Sequence, residues 1–175
     1  MKFKMIPTFL ILLSISLFVL GCGGSGPSAD LGDGSLGNLL WGASQYGFIE
    51  NDYDKALVYA DKAMELYGDE ARQLQASLSD FPSTDPPEAA YEYKVLNGMG
   101  MMSLMKGEIL RKQGDRAGAE KYFNMVIQDY GYAQAEDNGE WGEEFKDFPR
   151  DDQGFLKVAD VARMRLAELE AGVQD

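Results

Sequence analysis

The sequence predicts an all-α fold, a stack of helical hairpins closed by a C-terminal helix, on three observations. Residues 106–131, KGEILRKQGDRAGAEKYFNMVIQDYG, read as two helices joined by a corner at Gly114 and Asp115. The second of these helices recurs 63 residues upstream, in residues 52–68. Residues 88–113 contain no proline and keep a broad apolar stripe. Units of this kind bury their apolar faces by stacking on one another.

The upstream hairpin is predicted in the same way. Ser35 is placed to cap a helix over residues 36–49, and Asn51 and Asp52 form the corner. The repeated helix then covers residues 53–67 and ends at Gly68, a residue type that often terminates helices. Asp69 is placed to cap a further short helix over residues 70–78.

The remaining helices of the domain are delimited by interruptions in the helical pattern. Residues 81–87 are rich in proline and polar residues, and one long helix is predicted over residues 88–113. An acidic loop over residues 132–153 comes after the second hairpin, and a segment this long without regular structure is often functional. A helix over residues 155–170 has no partner after it and is predicted to cap the stack. The domain therefore covers residues 36–172.

The N-terminus is typical of a secreted protein. Lys2 and Lys4 precede an apolar run that extends to Leu20, so residues 1–21 are predicted to be a cleaved signal peptide. Residues 22–35 are rich in glycine, serine and aspartate and are predicted to be a flexible tether.

A lipid anchor is predicted at the junction of these two segments. Residues 19–22, Val-Leu-Gly-Cys, resemble a bacterial lipobox, and Cys22 is the only cysteine in the chain. The resemblance implies a lipid on Cys22 that holds the protein on the membrane. Gly23, rather than aspartate, follows this cysteine, and the enteric-type sorting rule then implies the outer membrane, with the protein facing the periplasm. The alternative is an ordinary signal peptide with an incidental cysteine.

The charge and the residue types exclude several classes of function. The net charge is −13, and it becomes −15 without Lys2 and Lys4, which argues against a nucleic-acid partner because phosphate backbones bind to basic patches. The chain has no histidine, so we predict no catalytic residue, no metal site and no cofactor. Met99, Met101, Met102 and Met105 could suggest Cu(I), but their place on the apolar stripe predicts core residues.

The two corners carry a family resemblance. Residues 51–56, NDYDKA, and 114–119, GDRAGA, resemble the corner and second helix of tetratricopeptide repeats, with Ala56 and Ala119 at the small position. Gly107 falls on the glycine of the first helix, where the upstream copy has Ser44. The resemblance implies a non-enzymatic scaffold that binds an unidentified envelope protein or peptide. Aromatic residues with a polar tip suit such a surface, and the candidates are Tyr46, Tyr53, Tyr59, Tyr93, Tyr122 and Trp141.

An alternative function comes from the second copy and its tail. Residues 130–135 and 156–162 resemble small secreted tetratricopeptide-like bacterial proteins sometimes labelled β-glucanase precursors, which implies an enzyme or accessory acting on polysaccharide. Eight acidic residues lie between Glu136 and Asp152, among them Glu143 and Glu144, together with Trp141. The same loop could bind Ca²⁺, or it could be a solvated loop whose aromatic residues pack on the last helices.

Overall fold

The protein is mostly helical, and the predicted all-α class is confirmed. The computed structural model describes residues 29–136, 145 and 147–173. In these residues a π-helical turn, Gln45–Ile49, extends the first helix, and a 3₁₀ segment, Pro87–Tyr93, precedes the third. The α-helices are α1 (Leu36–Ser44), α2 (Tyr53–Ser77), α3 (Lys94–Lys112), α4 (Arg116–Asp129) and α5 (Val158–Glu170).

The helices pack in a regular order around α3. Each helix from α1 to α4 contacts the helix that follows it in sequence. Two short strands lie in the chain between α4 and α5. The odd-numbered helices also contact one another, α1 with α3 and α3 with α5. Because α3 is covered on several sides, nearly its whole length is buried. Its four methionines are at most 1% exposed, which confirms that they are core residues.

The two hairpin corners have the same backbone geometry. Asn51 and Gly114 both adopt left-handed conformations, with φ of 57° and 80°. The next residues cap the helices that follow, Asp52 at φ −88° and ψ 74° and Asp115 at φ −81° and ψ 77°. Each aspartate side chain accepts a hydrogen bond from the backbone N–H three residues later. The two predicted corners are thus confirmed, and an N-terminal cap fixes where each second helix begins.

Each hairpin also has a glycine where its two helices cross. A Cβ on Gly107 would lie 2.5 Å from the Phe123 ring, and a Cβ on Gly42 would lie 2.3 Å from the Tyr59 ring. Real Cβ atoms do not approach an aromatic ring this closely, so only glycine allows these crossings. In the first hairpin the close approach is therefore made at Gly42, two residues before Ser44.

The prediction that a helix ends at Gly68 was wrong, because α2 is a single helix of 25 residues, Tyr53–Ser77. Gly68 is buried, and Ala63 and Ala71 on either side of it are 0% exposed. An interior glycine costs a helix about 1 kcal/mol, which burial of the continuing apolar face offsets. The added length reaches the end of α4, where the Gln75 side chain accepts a hydrogen bond from the backbone N–H of Tyr132 at 2.9 Å.

The segments around the acidic loop also differ from the prediction. Strands β1 (Gln134–Glu136) and β2 (Phe155–Lys157) pair antiparallel, with Ala135 opposite Leu156. The last helix therefore begins at Val158 rather than Phe155, and the third begins after a 3₁₀ segment rather than at Glu88. Strands of three residues are too short to show an alternating pattern, so periodicity does not reveal them.

The predicted tether is partly wrong as well, because residues 29–35 are held against the domain. The Tyr59 hydroxyl donates a hydrogen bond to the Asp30 carbonyl at 2.6 Å, and the Tyr67 hydroxyl donates one to the Gly34 carbonyl at 3.0 Å. Leu31 also packs against the core. The folded part thus begins before Ser35. The signal peptide, Cys22 and the rest of the tether lie outside the described residues.

Candidate functional site

The tyrosines predicted to form a binding surface differ in exposure, and one of them lies in the core. Tyr59 is 4% exposed and belongs to the core, with Tyr46 stacked on its ring at a centroid distance of 5.5 Å. Tyr53, the first residue of α2, is half-buried. Tyr93 packs against the hydrophobic core. Trp141 lies outside the described residues. Tyr122 lies on α4, where the Lys106 ammonium is 4.5 Å from its ring centroid.

The Tyr46 and Tyr59 pair includes a cation. Lys55 Nζ lies 3.6 Å from the centroid of the Tyr46 ring, within the range of a cation–π interaction. The hydrogen bond with Tyr46 raises the pKa of Lys55, and burial raises the pKa of Tyr59. These contacts join the first corner to α2, which makes the pair a structural element of the first hairpin.

A small pocket, here called the α1–α3 pocket, lies where α1, the start of α3 and the two strands meet. Its volume is about 160 Å³. Leu40, Met101 and Phe155 contribute apolar wall, and Tyr91 and Lys94 are exposed at its mouth. The full lining consists of Leu40, Ala90, Tyr91, Lys94, Asn97, Gly98, Met101, Gln134, Ala135, Glu136 and Phe155.

One residue that lines this pocket carries an enclosed side-chain oxygen that has no hydrogen-bond partner among the described residues. Gln134 is 3% exposed, and its side-chain oxygen Oε1 has no hydrogen-bond partner among the described residues. Buried polar atoms are nearly always hydrogen-bonded, since leaving one unpaired costs about 1–3 kcal/mol. The enclosed, unpaired oxygen of Gln134 therefore carries an energetic cost in this part of the fold.

The polar groups around Gln134 are satisfied by one another. Asn97 on α3 donates from Nδ2 to the Ala90 carbonyl at 3.0 Å and accepts from the backbone N–H of Gln134 at 2.9 Å. At the mouth, the Tyr91 hydroxyl donates to Glu136 Oε2 at 2.5 Å, and this hydrogen bond raises the pKa of Tyr91. Asn97 therefore fixes the strand at Gln134 on α3.

Two larger depressions lie elsewhere on the surface. One, of about 430 Å³, is lined by Arg111, Lys112 and Arg116 together with residues at the end of α5. The other, of about 560 Å³, lies on the outer side of α1, where Trp41 is 63% and Ile49 66% exposed. Arg116 pairs with Glu120, and among the described residues that line these depressions there is no unpartnered buried acceptor. We therefore regard the α1–α3 pocket as the candidate site of the described region.

A buried ionic cluster joins α3 to α5. Glu108 is 0% exposed and lies 2.9 Å from Arg111 Nε and 2.5 Å from Arg165 Nε. The Arg165 guanidinium also lies 4.9 Å from the centroid of the Phe148 ring. Burial alone would lower the pKa of Arg165, but Glu108 and Glu168 outweigh it and the net shift is upward. The cluster thus fixes the last helix on the central one.

Lys106 provides a second link of this kind, between α3 and α2. It is 6% exposed, and its ammonium forms an ion pair with Asp61 and lies over the Tyr122 ring. Sequence reasoning missed Glu108 and Lys106 as buried charges because both lie among residues assigned to a continuous apolar stripe. The presence of a charged residue within an apolar helical stripe was the signal that could have indicated a buried ion pair.

The described part of the acidic loop has a structural role. Phe145 and Phe148 are 2% and 8% exposed, and the Phe145 ring packs edge-on against Phe48 at 6.0 Å. Phe148 thus lies beside Arg165 of the last helix, as expected, whereas Phe145 packs on Phe48 in the turn after the first helix rather than on the last helices. Asp151 accepts hydrogen bonds from two backbone N–H groups in its own turn. Glu143 and Glu144, named for the polysaccharide alternative, lie outside the described residues.

The described residues contain neither a candidate metal cluster nor a membrane-spanning helix. Within residues 29–136, 145 and 147–173, no three acidic side chains come together in a way that could hold a metal ion. None of the helices in that region has the length and apolarity needed to cross a membrane. Comparison of the chain with protein-family models, curated proteins and solved structures gives no match.

Proposed function

We propose that this protein is an envelope lipoprotein whose helical domain is a tetratricopeptide-like scaffold that binds a protein or peptide. The observation that carries the scaffold is the packing order of the helices. Each hairpin packs on the next, and the first helices of successive hairpins, α1, α3 and α5, contact one another. This arrangement is the one expected when hairpin repeats stack into a superhelix.

Local geometry supports the same proposal. Both second helices start from an aspartate cap preceded by a left-handed residue, and both hairpins cross at a glycine facing an aromatic ring. In this arrangement α5, held by Glu108 and Arg165, would be the first helix of a third unit and covers the end of the stack. Stacked helical hairpins present extended surfaces, which are used mainly for protein and peptide recognition.

The binding role is tested by affinity capture from an envelope extract, followed by reconstitution with the purified partner. The wild-type protein should recover a partner that a Phe123→Ala variant does not recover. Phe123 is 0% exposed, and its truncation costs about 3–5 kcal/mol and disrupts the core. Equal recovery by both proteins would contradict specific recognition by the folded domain.

The anchor rests on the sequence around Cys22, where a lipid would supply membrane attachment to an acidic protein. In bacterial cells fed a palmitate analogue, the wild-type protein should become labelled and should sediment with the outer membrane. A Cys22→Ala variant should remain unlabelled. Equal labelling of the two proteins would refute the anchor and leave the scaffold proposal unaffected.

A further inference from the structure

The outer face of α1 is apolar and uncharged, although the chain as a whole is strongly acidic. Trp41 and Ile49 are 63% and 66% exposed, more than any other large hydrophobic side chain in the described part of the chain. They line one depression together with Leu40, Gln45 and other residues of α1. Residues 34–49 contain no charged residue, although 26% of the chain is charged. Burying this face therefore removes apolar surface from water without removing an ion from water.

The first described residues place α1 close to the predicted lipid. Residues 29–35 lead directly into α1, and the Asp30 carbonyl accepts a hydrogen bond from the Tyr59 hydroxyl at 2.6 Å. The Tyr59 ring packs against Gly42 in the middle of α1. The chain from Cys22 to the start of this segment spans at most about 25 Å even when fully extended. A lipid on Cys22 would therefore keep α1 near the bilayer surface.

The side chains of this face suit the interfacial region of a bilayer. Tryptophan combines an apolar ring with a polar N–H and is enriched where membrane meets water. The acidic residues that flank the uncharged run, Asp33 and Glu50, lie outside it, so the face can meet headgroups without placing a carboxylate among them. A bilayer is within reach of every anchored molecule, whereas a second copy would bring another strongly acidic domain to the same face. The bilayer is therefore the occupant that the charge and the tether favour.

We propose that the outer face of α1 rests on the bilayer surface beside the lipid anchor, with Trp41 and Ile49 in the headgroup region. The inference rests on the proposed lipid anchor and adds to it an orientation of the domain. The helices pack in the order α1 to α5, so α1 and α5 lie at the two ends of the stack. With α1 on the membrane, the stack extends away from the surface and leaves the second hairpin accessible to a partner.

Tryptophan fluorescence of the lipoprotein in vesicles tests this contact. Trp141→Phe leaves Trp41 as the only tryptophan in the chain. This protein is purified from bacterial membranes and reconstituted in vesicles of phosphatidylethanolamine and phosphatidylcholine, with or without phosphatidylcholine brominated near the headgroup end of its acyl chains. Trp41 emission should lie at shorter wavelength than that of tryptophan in water, and it should lose intensity in the brominated vesicles.

Substitutions in the same background separate this face from the rest of the surface. Ile49→Asn changes a side chain that is 66% exposed, so it leaves the core intact and should reduce the quenching of Trp41 because apolar contact is lost. Met164→Asn makes a matched change on α5, at a side chain that is 43% exposed, and should leave the quenching unchanged. Moving the reporter to α5, with Trp41→Phe and Met164→Trp, should abolish the quenching.

The outcomes distinguish this inference from the anchor on which it rests. If the lipoprotein floats with the vesicles but the bromines leave Trp41 unquenched, the inference is overturned and the anchor stands. A wavelength shift that depends on protein density and occurs without quenching would assign the face to a second copy. Quenching that requires added anionic phosphatidylglycerol would show that cationic residues elsewhere make the contact, which also overturns the inference. Failure of the wild-type protein to float, together with absence of lipid on Cys22, would overturn both.

Discussion

The charge of Glu108 should contribute more to stability than that of any exposed acidic residue in the domain. Glu108 is 0% exposed, while the side chains of its partners Arg111 and Arg165 are 9% and 11% exposed. A Glu108→Gln substitution keeps the shape but removes the buried carboxylate charge that pairs with both guanidinium groups. Removing one partner of a buried ion pair typically costs about 3–5 kcal/mol. We therefore expect Glu108→Gln to lower the free energy of unfolding by roughly 3 kcal/mol.

Equilibrium urea denaturation of wild type, Glu108→Gln, Arg165→Met and the double variant measures this effect. The double variant should be less destabilised than the sum of the single changes, with a coupling of about 1 kcal/mol or more, because the two groups are in contact. Glu168→Gln is the matched control, since Glu168 pairs with the same arginine but is 37% exposed and should cost less than about 1 kcal/mol. A Glu108→Gln cost no larger than that of the control would refute the reasoning.

Two further predictions concern packing and pH. Gly107→Ala places a Cβ 2.5 Å from the Phe123 ring and should destabilise by about 1–3 kcal/mol, whereas Gly37→Ala, in a helix with nothing within 4 Å, should stabilise by up to about 1 kcal/mol. Thermal melts of the two variants would contradict this if both shifted in the same direction. Burial raises the pKa of Tyr130 above its ordinary value of 10.0, so its contribution to stability is complete below about pH 10 and is lost as the pH rises through the folded-state value. Denaturation between pH 8 and pH 11.5 should therefore show an alkaline loss of stability that is smaller in Tyr130→Phe, and identical pH profiles would show that Tyr130 is not responsible.

The features that the sequence predicted well are those that depend on interactions between residues close together in the chain. The corners at Asn51 and Asp52 and at Gly114 and Asp115 follow from aspartate caps and left-handed backbone, and both occur where predicted. The methionines of α3 were predicted to be core residues from their positions on an apolar stripe, and they are. Local rules failed at Gly68, where packing against the rest of the fold decided that the helix continues.

The candidate site was beyond the reach of the sequence. The tyrosines proposed as a surface were chosen by residue type, but exposure depends on packing, and Tyr59 is in the core. Gln134 lies in a segment predicted to be a loop, and nothing in its neighbours indicates that Asn97, 37 residues earlier, holds its backbone. A pocket between α1, α3 and two strands requires contacts among residues far apart in the chain.

By itself, the sequence determined the helical class, the two capped corners and the methionine-rich central helix, because each depends on spacing or on interactions within one turn. It also carries residues 19–22, which resemble a lipobox and on which the proposed anchor rests. The tertiary structure alone decided the length of α2, the docking of residues 29–35, the burial of Glu108 beside Arg165 and the unpaired oxygen of Gln134. Burial is a property of the assembled fold, and it determines the cost of an unpaired polar atom.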